Sequence, residues 1–170
     1  MGELLIKQLL LCDLEKYDNF AKCWDSEGLW HDSTSEEPLE IPDGIYGFYA
    51  GKELIGYATA TETYGWMGEM VIADLAKEFE GKSLPKTEME ISMIMRPDVR
   101  YKGYGSFFLS ELMSRLSEEY HVDEAAVYVS KTNQIAISFF VKNGFDFVDA
   151  DHETVHLKRV LTKQKVNELK

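Results

Sequence analysis

The sequence predicts an α/β (α+β) domain whose sheet starts and ends antiparallel, carries a parallel strand pair in its middle, and is flanked by helices. Three observations carry this. Ile45 to Ala50 and Glu53 to Tyr64 are aromatic and β-branched runs separated only by Gly51-Lys52, which reads as an antiparallel hairpin. Glu88 to Met95 and Ala125 to Val129 read as strands joined by a helix, so they run parallel through a right-handed crossover. Phe145 to Val148 and Thr154 to Val160 make a closing pair.

Taken in order, Leu4 to Leu10 reads as a strand. Asp13 is placed to cap a helix through about Trp24, with Leu14, Tyr17, Phe20, Ala21 and Trp24 at helical spacing. Asp25 to Asp43 carries seven acids, no Lys or Arg, and two prolines, which suits a solvated loop or a broken helix. With Trp24 and Trp30 beside it, the same loop can form one lip of a pocket for a cation. Gly65 to Thr87 is a long excursion with a predicted helix from about Glu69 to Phe79. In the next strand, alternation puts Met89, Ile91, Met93 and Met95 on one face. Glu88, Glu90, Ser92 and Ile94 take the other. Phe108, Leu112, Leu116 and Tyr120 recur every four residues, which predicts a helix over 106–120 with one face on the sheet. Ala125 to Val129 is nearly continuously apolar, as a strand buried on both faces should be. Asn133 to Lys142 reads as a short helix stopped by Asn143-Gly144, and residues 162–170 as a tail to a single domain spanning 1–170.

Composition excludes several functions. A net charge of −12 disfavours contact with nucleic acid phosphates and is more natural for a cationic partner. No run reaches membrane-span length, and the opening residues fit neither a signal peptide nor a myristoylation site, so a cytoplasmic location is expected. Cys12 and Cys23 have no metal or redox spacing and read as reduced thiols used for packing on or near the first helix. His31, His121, His152 and His156 show no ligand spacing, and no metal is expected.

The stretch that carries chemistry is Arg100-Tyr101-Lys102-Gly103-Tyr104-Gly105, between a strand and a helix. Glycines there let a ligand approach free backbone N–H groups at the positive end of a helix dipole, which is an anion site. The plainer reading is that Gly103 and Gly105 only relax a tight turn. A dinucleotide fingerprint does not fit, because the third glycine is missing and the motif comes late in the chain.

With its neighbours, this turn resembles the GNAT superfamily of acyl-CoA-dependent N-acyltransferases. Arg100 to Gly105 matches the Arg/Gln-x-x-Gly-x-Gly/Ala loop, and Ile94 to Pro97 resembles the strand-proline lead-in. Asn133 with Ala136, followed by Lys142-Asn143-Gly144-Phe145, is similar to the N-x-x-A…G-F segment. The element order agrees too, and the resemblance covers nearly the whole chain. It implies a GNAT-type mixed, mostly antiparallel sheet with a central splayed parallel strand pair, flanked by helices. It also implies acetyl-CoA as cofactor, with the pyrophosphate on the backbone N–H groups of Arg100, Tyr101, Lys102, Gly103, Tyr104, Gly105 and Ser106. The pantetheine arm would lie along Ile94, Met95 and Arg96, near Asn133 and Phe140.

The implied reaction is direct attack of an amine on an acyl carbonyl polarised by a backbone N–H, for which Met95 is the candidate. An alkylammonium, with a reference pKa of about 10.4, must first lose a proton. Glu90 is the first candidate base and Glu88 the second, since both sit on the polar face of the strand entering the loop. The resemblance expects a tyrosine acid four residues after Ala136, where this chain has Phe140, a natural packing residue. Tyr128 and Tyr104 are the tyrosines placed to replace it. Otherwise the thiolate leaves unprotonated, or the fold binds acyl-CoA without turnover. Tyr64 and Trp66, with Trp30, are the candidate acceptor-site aromatics. The expected partners are acetyl-CoA and an amine acceptor, with neither nucleic acid nor membrane, and exposed sheet edges suit a homodimer. The leading function is an N-acetyltransferase acting on a primary amine of a small cationic molecule. The alternative is a non-catalytic acyl-CoA-binding or regulatory module.

Overall fold

The computed structural model describes residues 3–24, 42–63, 88–120 and 122–161. Along the chain these form β1 (Leu4–Gln8), α1 (Leu14–Trp24), β2 (Gly44–Ala50), β3 (Glu53–Thr63), β4 (Glu88–Met95), α2 (Tyr104–Glu119), β5 (Glu124–Ser130), α3 (Gln134–Lys142), β6 (Asp146–Ala150) and β7 (Thr154–Val160). Short 3-10 turns cover Leu11–Asp13 and Pro97–Val99. The predicted helix over 69–79, most of the acidic loop and the tail over 162–170 lie outside the described residues.

One seven-stranded sheet runs in the order β1-β2-β3-β4-β5-β7-β6, antiparallel everywhere except between β4 and β5. The alternation expected along β4 holds. Met89 and Ile91 enter the larger core, where Phe108, Leu109, Leu112 and Leu116 of α2 and Phe140 of α3 meet the sheet, with Met93 and Met95 packed at its margin. Ile94 faces the opposite way, into a second cluster with Tyr17 and Ala21 of α1 and Ile45 and Tyr57 of the sheet. The two cores thus hold α2 and α3 on one face and α1 on the other. Each fully buried Leu or Phe contributes about 1.5–3 kcal/mol through removal from water. Phe48 stacking on Phe108, with ring centroids 4.7 Å apart, fixes α2 over β2.

Two differences from the sequence reading matter, the start of α2 and the place of the cysteines. α2 begins at Tyr104, earlier than the predicted 106, so Gly105 and Ser106 belong to its first turn. Asp13 closes a 3-10 turn that runs directly into α1 at Leu14. Cys12 and Cys23 are both exposed, which corrects the packing role expected for them: α1 buries Tyr17 and Ala21 and leaves Cys23 to solvent, and Cys12 lies in the 3-10 turn before it.

The β6–β7 hairpin is pinned by one carboxylate. Asp151 Oδ1 accepts the backbone N–H groups of Glu153 and Thr154 at 2.7 Å each, and Oδ2 accepts the Thr154 hydroxyl at 2.8 Å. The Thr154 N–H above all, then that of Glu153, hold the acid down to about 2. A depressed folded-state pKa means the contribution is complete above the unfolded value near pH 4 and disappears as pH falls through about 2. Asp151→Ala is therefore expected to melt below the wild type at pH 6, with the gap in Tm closing toward pH 2. A gap that stays constant over that range, followed by circular dichroism, counts against this account.

Candidate active site

The site begins where the parallel pair comes apart. β4 and β5 are paired only at Glu88↔Glu124, Met89↔Ala125 and Glu90↔Ala126, after which β5 continues with β7 and β4 with β3. The Arg96 N–H donates to Ile55 O at 2.9 Å, so in this antiparallel ladder the even-numbered residues of β4 turn their backbone groups toward β3. The odd ones, Met93 and Met95, turn theirs into the gap. An open strand edge therefore faces the space between β4 and β5, with the Met93 and Met95 N–H groups turned into it and the Met95 carbonyl taken by Arg100 Nε at 2.9 Å.

Beyond this edge the chain turns through Pro97–Val99 and enters α2. Arg100 is extended, Tyr101 sits at φ 61° and Gly103 at φ 85°, and Tyr104 then starts the helix without any side-chain cap. Left-handed residues followed by helical ones turn successive N–H groups into a concavity that suits an anion. The two glycines serve different ends. Gly103 supplies the positive φ, and a Cβ there would meet open space. At Gly105 a Cβ would lie 3.2 Å from the Phe139 ring, so this glycine lets α2 approach α3.

A cavity of about 770 Å³ occupies the space between this turn, the end of β4 and α3. Met93, Ile94 and Met95 form one wall, Tyr101, Gly103, Gly105 and Ser106 another, and the 133–142 segment a third. Arg96, Lys102 and Tyr104, all expected at the cofactor, do not line it among the described residues. Arg96 is instead tied to Glu53 at 2.7 Å and to Asp98 at 2.6 Å, which holds its guanidinium well above its usual range. Tyr104 packs against the larger core. Arg100 lines the cavity, but its own N–H donates to Pro97 O at 3.3 Å, so the run of available N–H groups starts at Tyr101.

Asn133 is the N-cap of α3, its Oδ1 accepting the Ala136 N–H at 3.0 Å. Phe140 is 7% exposed and meets Phe139 and Phe145 edge-on, each with ring centroids 5.2 Å away. Asn133 and Phe140 both line a second cavity of about 200 Å³ inside the splay, together with Glu90, Ser92, Tyr128 and Ser130. The two cavities share Met93, Asn133, Ala136 and Phe140, so they meet across the open edge of β4.

The two candidate bases part company here. Glu88, expected on the polar face of the strand, is only 3% exposed and its Oε2 is held by Lys158 of β7. Glu90 is half-buried on the wall of the smaller cavity. Tyr128 stands beside them, its ring stacked on His156 at 4.4 Å. Burial first, then the charges of Glu88, Glu90 and Asp149 and a hydrogen bond to Glu88, push its phenol up to about 12. It therefore carries its proton throughout the neutral range. The sequence did not mark Lys158, Asp149 or His156 as neighbours of this site. His156 lies opposite Tyr128 in the β5–β7 register, 3.4 Å from Asp149, which only strand pairing reveals. Trp30, Tyr64 and Trp66 lie outside the described residues. Among the described residues no cluster of His, Cys, Asp or Glu is arranged for a metal, and no helix is long and apolar enough to cross a membrane.

A splayed parallel pair beside an uncapped, glycine-entered helix frames the two cavities, and comparison with known proteins says which family is built this way. Residues 9–145 match the acetyltransferase (GNAT) family, and the chain belongs to that family. A search among curated proteins finds no match. Solved structures share the fold at low identity. The NAA60 protein of Arabidopsis thaliana in complex with acetyl-CoA has a TM-score of 0.65 and 15% identity over 94% of this chain and 99% of that one. PaiA N-acetyltransferase from Thermoplasma acidophilum in complex with coenzyme A has a TM-score of 0.61 and 19% identity over 93% of this chain and 99% of that one. An aminoglycoside N(6')-acetyltransferase from Legionella pneumophila has a TM-score of 0.61 and 13% identity over 95% of this chain and 94% of that one.

Proposed function

We propose that the protein is an N-acetyltransferase that moves the acetyl group of acetyl-CoA to a primary amine of a small cationic molecule, by direct attack within a ternary complex. The observation that carries this reading is the end of the β4–β5 ladder at Glu90↔Ala126, which opens one strand edge between the two cavities. The larger cavity fits the cofactor. Its uncapped helix start and left-handed Gly103 suit a pyrophosphate, and its β4 wall offers an extended arm a strand to pair with. When bound, acetyl-CoA supplies a thioester, an activated acyl group with a thiolate as leaving group.

This chain's own residues have four tasks. Tyr101, Gly103, Gly105 and Ser106, which line the cavity, hold phosphate charge on backbone N–H groups. The Met95 N–H, turned into the gap, stabilises negative charge developing on a carbonyl oxygen. Glu90 takes the proton that an ammonium must lose, and Tyr128 donates a hydrogen bond to the departing sulfur. Glu88, paired with Lys158, holds the Tyr128 hydroxyl in place. The carboxylates around Tyr128 and the overall charge of −12 support a cationic acceptor.

The buried, ring-packed Phe140 favours a second reading, a module that binds acyl-CoA without turnover. Thiol release from acetyl-CoA across a panel of polyamines, aminoglycosides and amino acid amides separates the two. Amine-dependent release is expected. Calorimetric CoA binding with no release on any amine would establish the module instead.

A further inference from the structure

We infer that Arg100 serves this reaction as a positioning residue for Met95, and that its side chain is not a ligand of cofactor phosphates. The inference rests on the proposed acetyltransferase reading. Its guanidinium is already engaged on two backbone carbonyls, with Nε donating to Met95 O at 2.9 Å and a terminal nitrogen donating to Trp24 O at 2.6 Å. Both acceptors belong to segments that have lost their natural partners. Met95 lies on the part of β4 that β5 has left, and Trp24 is the last residue of α1, where carbonyls find no donor within the helix.

The consequence for Met95 is geometric. The peptide unit between Met95 and Arg96 is gripped on both sides, its C=O by Arg100 and its N–H by Ile55 O at 2.9 Å. With Ile94 held against Tyr57 on one side and this peptide plane on the other, the φ and ψ of Met95 have little room to change, which restricts the direction of the Met95 N–H one peptide earlier. Arg100 thus replaces the missing neighbour strand with a side-chain donor. It also caps the one carbonyl at this end of the edge that would otherwise compete for a ligand's hydrogen bonds.

The consequence for α1 is a fixed distance. Trp24 stacks on Phe20 with centroids 5.6 Å apart and packs on Tyr57, so the end of α1 carries an aromatic wall beside Ile94. One planar fork sets the spacing between that wall and the end of β4. A lysine, with a single ammonium and no planar fork, cannot hold two divergent carbonyls in the same way.

The test uses the full chain with Arg100→Gln and Arg100→Lys. CoA affinity is measured by calorimetry, kcat and KM for acetyl-CoA by thiol release, and exchange of the Arg96 amide by NMR. Misplacing a catalytic group by about an ångström can cost about 100-fold, so kcat is expected to fall by about 10- to 100-fold in Arg100→Gln. The same change should leave the Kd for CoA within about threefold, since removing a charge-assisted hydrogen bond to phosphate would weaken binding by more than that. Arg96 should exchange faster in both variants, and Arg100→Lys, which keeps the charge, should recover only part of kcat. Should Arg100→Gln fail to fold, Arg100→Lys carries the same readouts. A CoA Kd weakened by about tenfold or more with kcat retained would make Arg100 a phosphate ligand and overturn the inference. An unchanged Arg96 exchange rate, or a lowered Tm with normal kcat, overturns it as well. Binding and exchange need no turnover, so a protein that never acetylates would sink the proposed activity while leaving this result legible.

Discussion

Glu90→Gln is expected to lower kcat by about 10²- to 10⁴-fold, the usual contribution of a positioned general base. The effect should be strongest at low pH. An aliphatic ammonium has a reference pKa of about 10.4, so at pH 7 fewer than about one acceptor in 10³ is already neutral. With the carboxylate in place, proton removal happens in the site and the rate is only weakly tied to that fraction. Without it, kcat/KM should climb about tenfold per pH unit until the acceptor itself titrates. The Kd for CoA should be unaffected, because Glu90 lines the smaller cavity and not the cofactor wall. Glu88→Gln is the informative comparison. That change removes the nearer of two carboxylates beside Lys158, leaving Glu124 at 3.9 Å, at a site only 3% exposed, so it should lower Tm and preserve the shape of the pH profile. A pH–rate profile of wild-type shape in Glu90→Gln would remove Glu90 from the mechanism.

The contrast between Glu88 and Glu90 shows where sequence reading stops. Period-2 alternation placed both on one face of β4, and the structure agrees. What alternation lacks is depth along the strand. Glu88 lies within the three-residue parallel ladder and is covered by Lys158, seventy residues later, while Glu90 stands at its end, where the strands part. The antiparallel start, the parallel pair and the closing hairpin were legible because hairpin turns and the crossover helix are local signals, whereas the placing of β7 rather than β6 beside β5 was not. The double engagement of Arg100 was not, since Trp24 is 76 positions upstream. Nor was the difference between Gly103, needed for its φ, and Gly105, needed for the Phe139 ring against it, because both fit the same motif equally well.

Tyr128→Phe carries the second large effect, and its cause can be separated from simple loss of packing. The phenol is pushed up to about 12, whereas an alkyl thiol has a reference pKa of about 8.5, so complete proton transfer from Tyr128 to the leaving sulfur is uphill. The work left to the hydroxyl is a hydrogen bond that strengthens as negative charge gathers on sulfur, with solvent supplying the final proton. A bound cationic acceptor helps in this. Burial raises the phenol most, and a cation offsets the further rise caused by Glu88, Glu90 and Asp149, which makes the hydroxyl a stronger donor when the complex is complete. Loss of one such donor is expected to lower kcat by about 10- to 100-fold with acetyl-CoA, since a neutral hydrogen bond strengthened in the transition state lies at the lower end of donor effects. With an acetyl thioester of a markedly more acidic thiol, the sulfur needs little help and the deficit should shrink to about threefold or less. The ring remains in Tyr128→Phe and its stacking on His156 is preserved, so Tm should move little. An equal loss of rate with both thioesters would show that Tyr128 shapes the cavity and takes no part in the departure of sulfur.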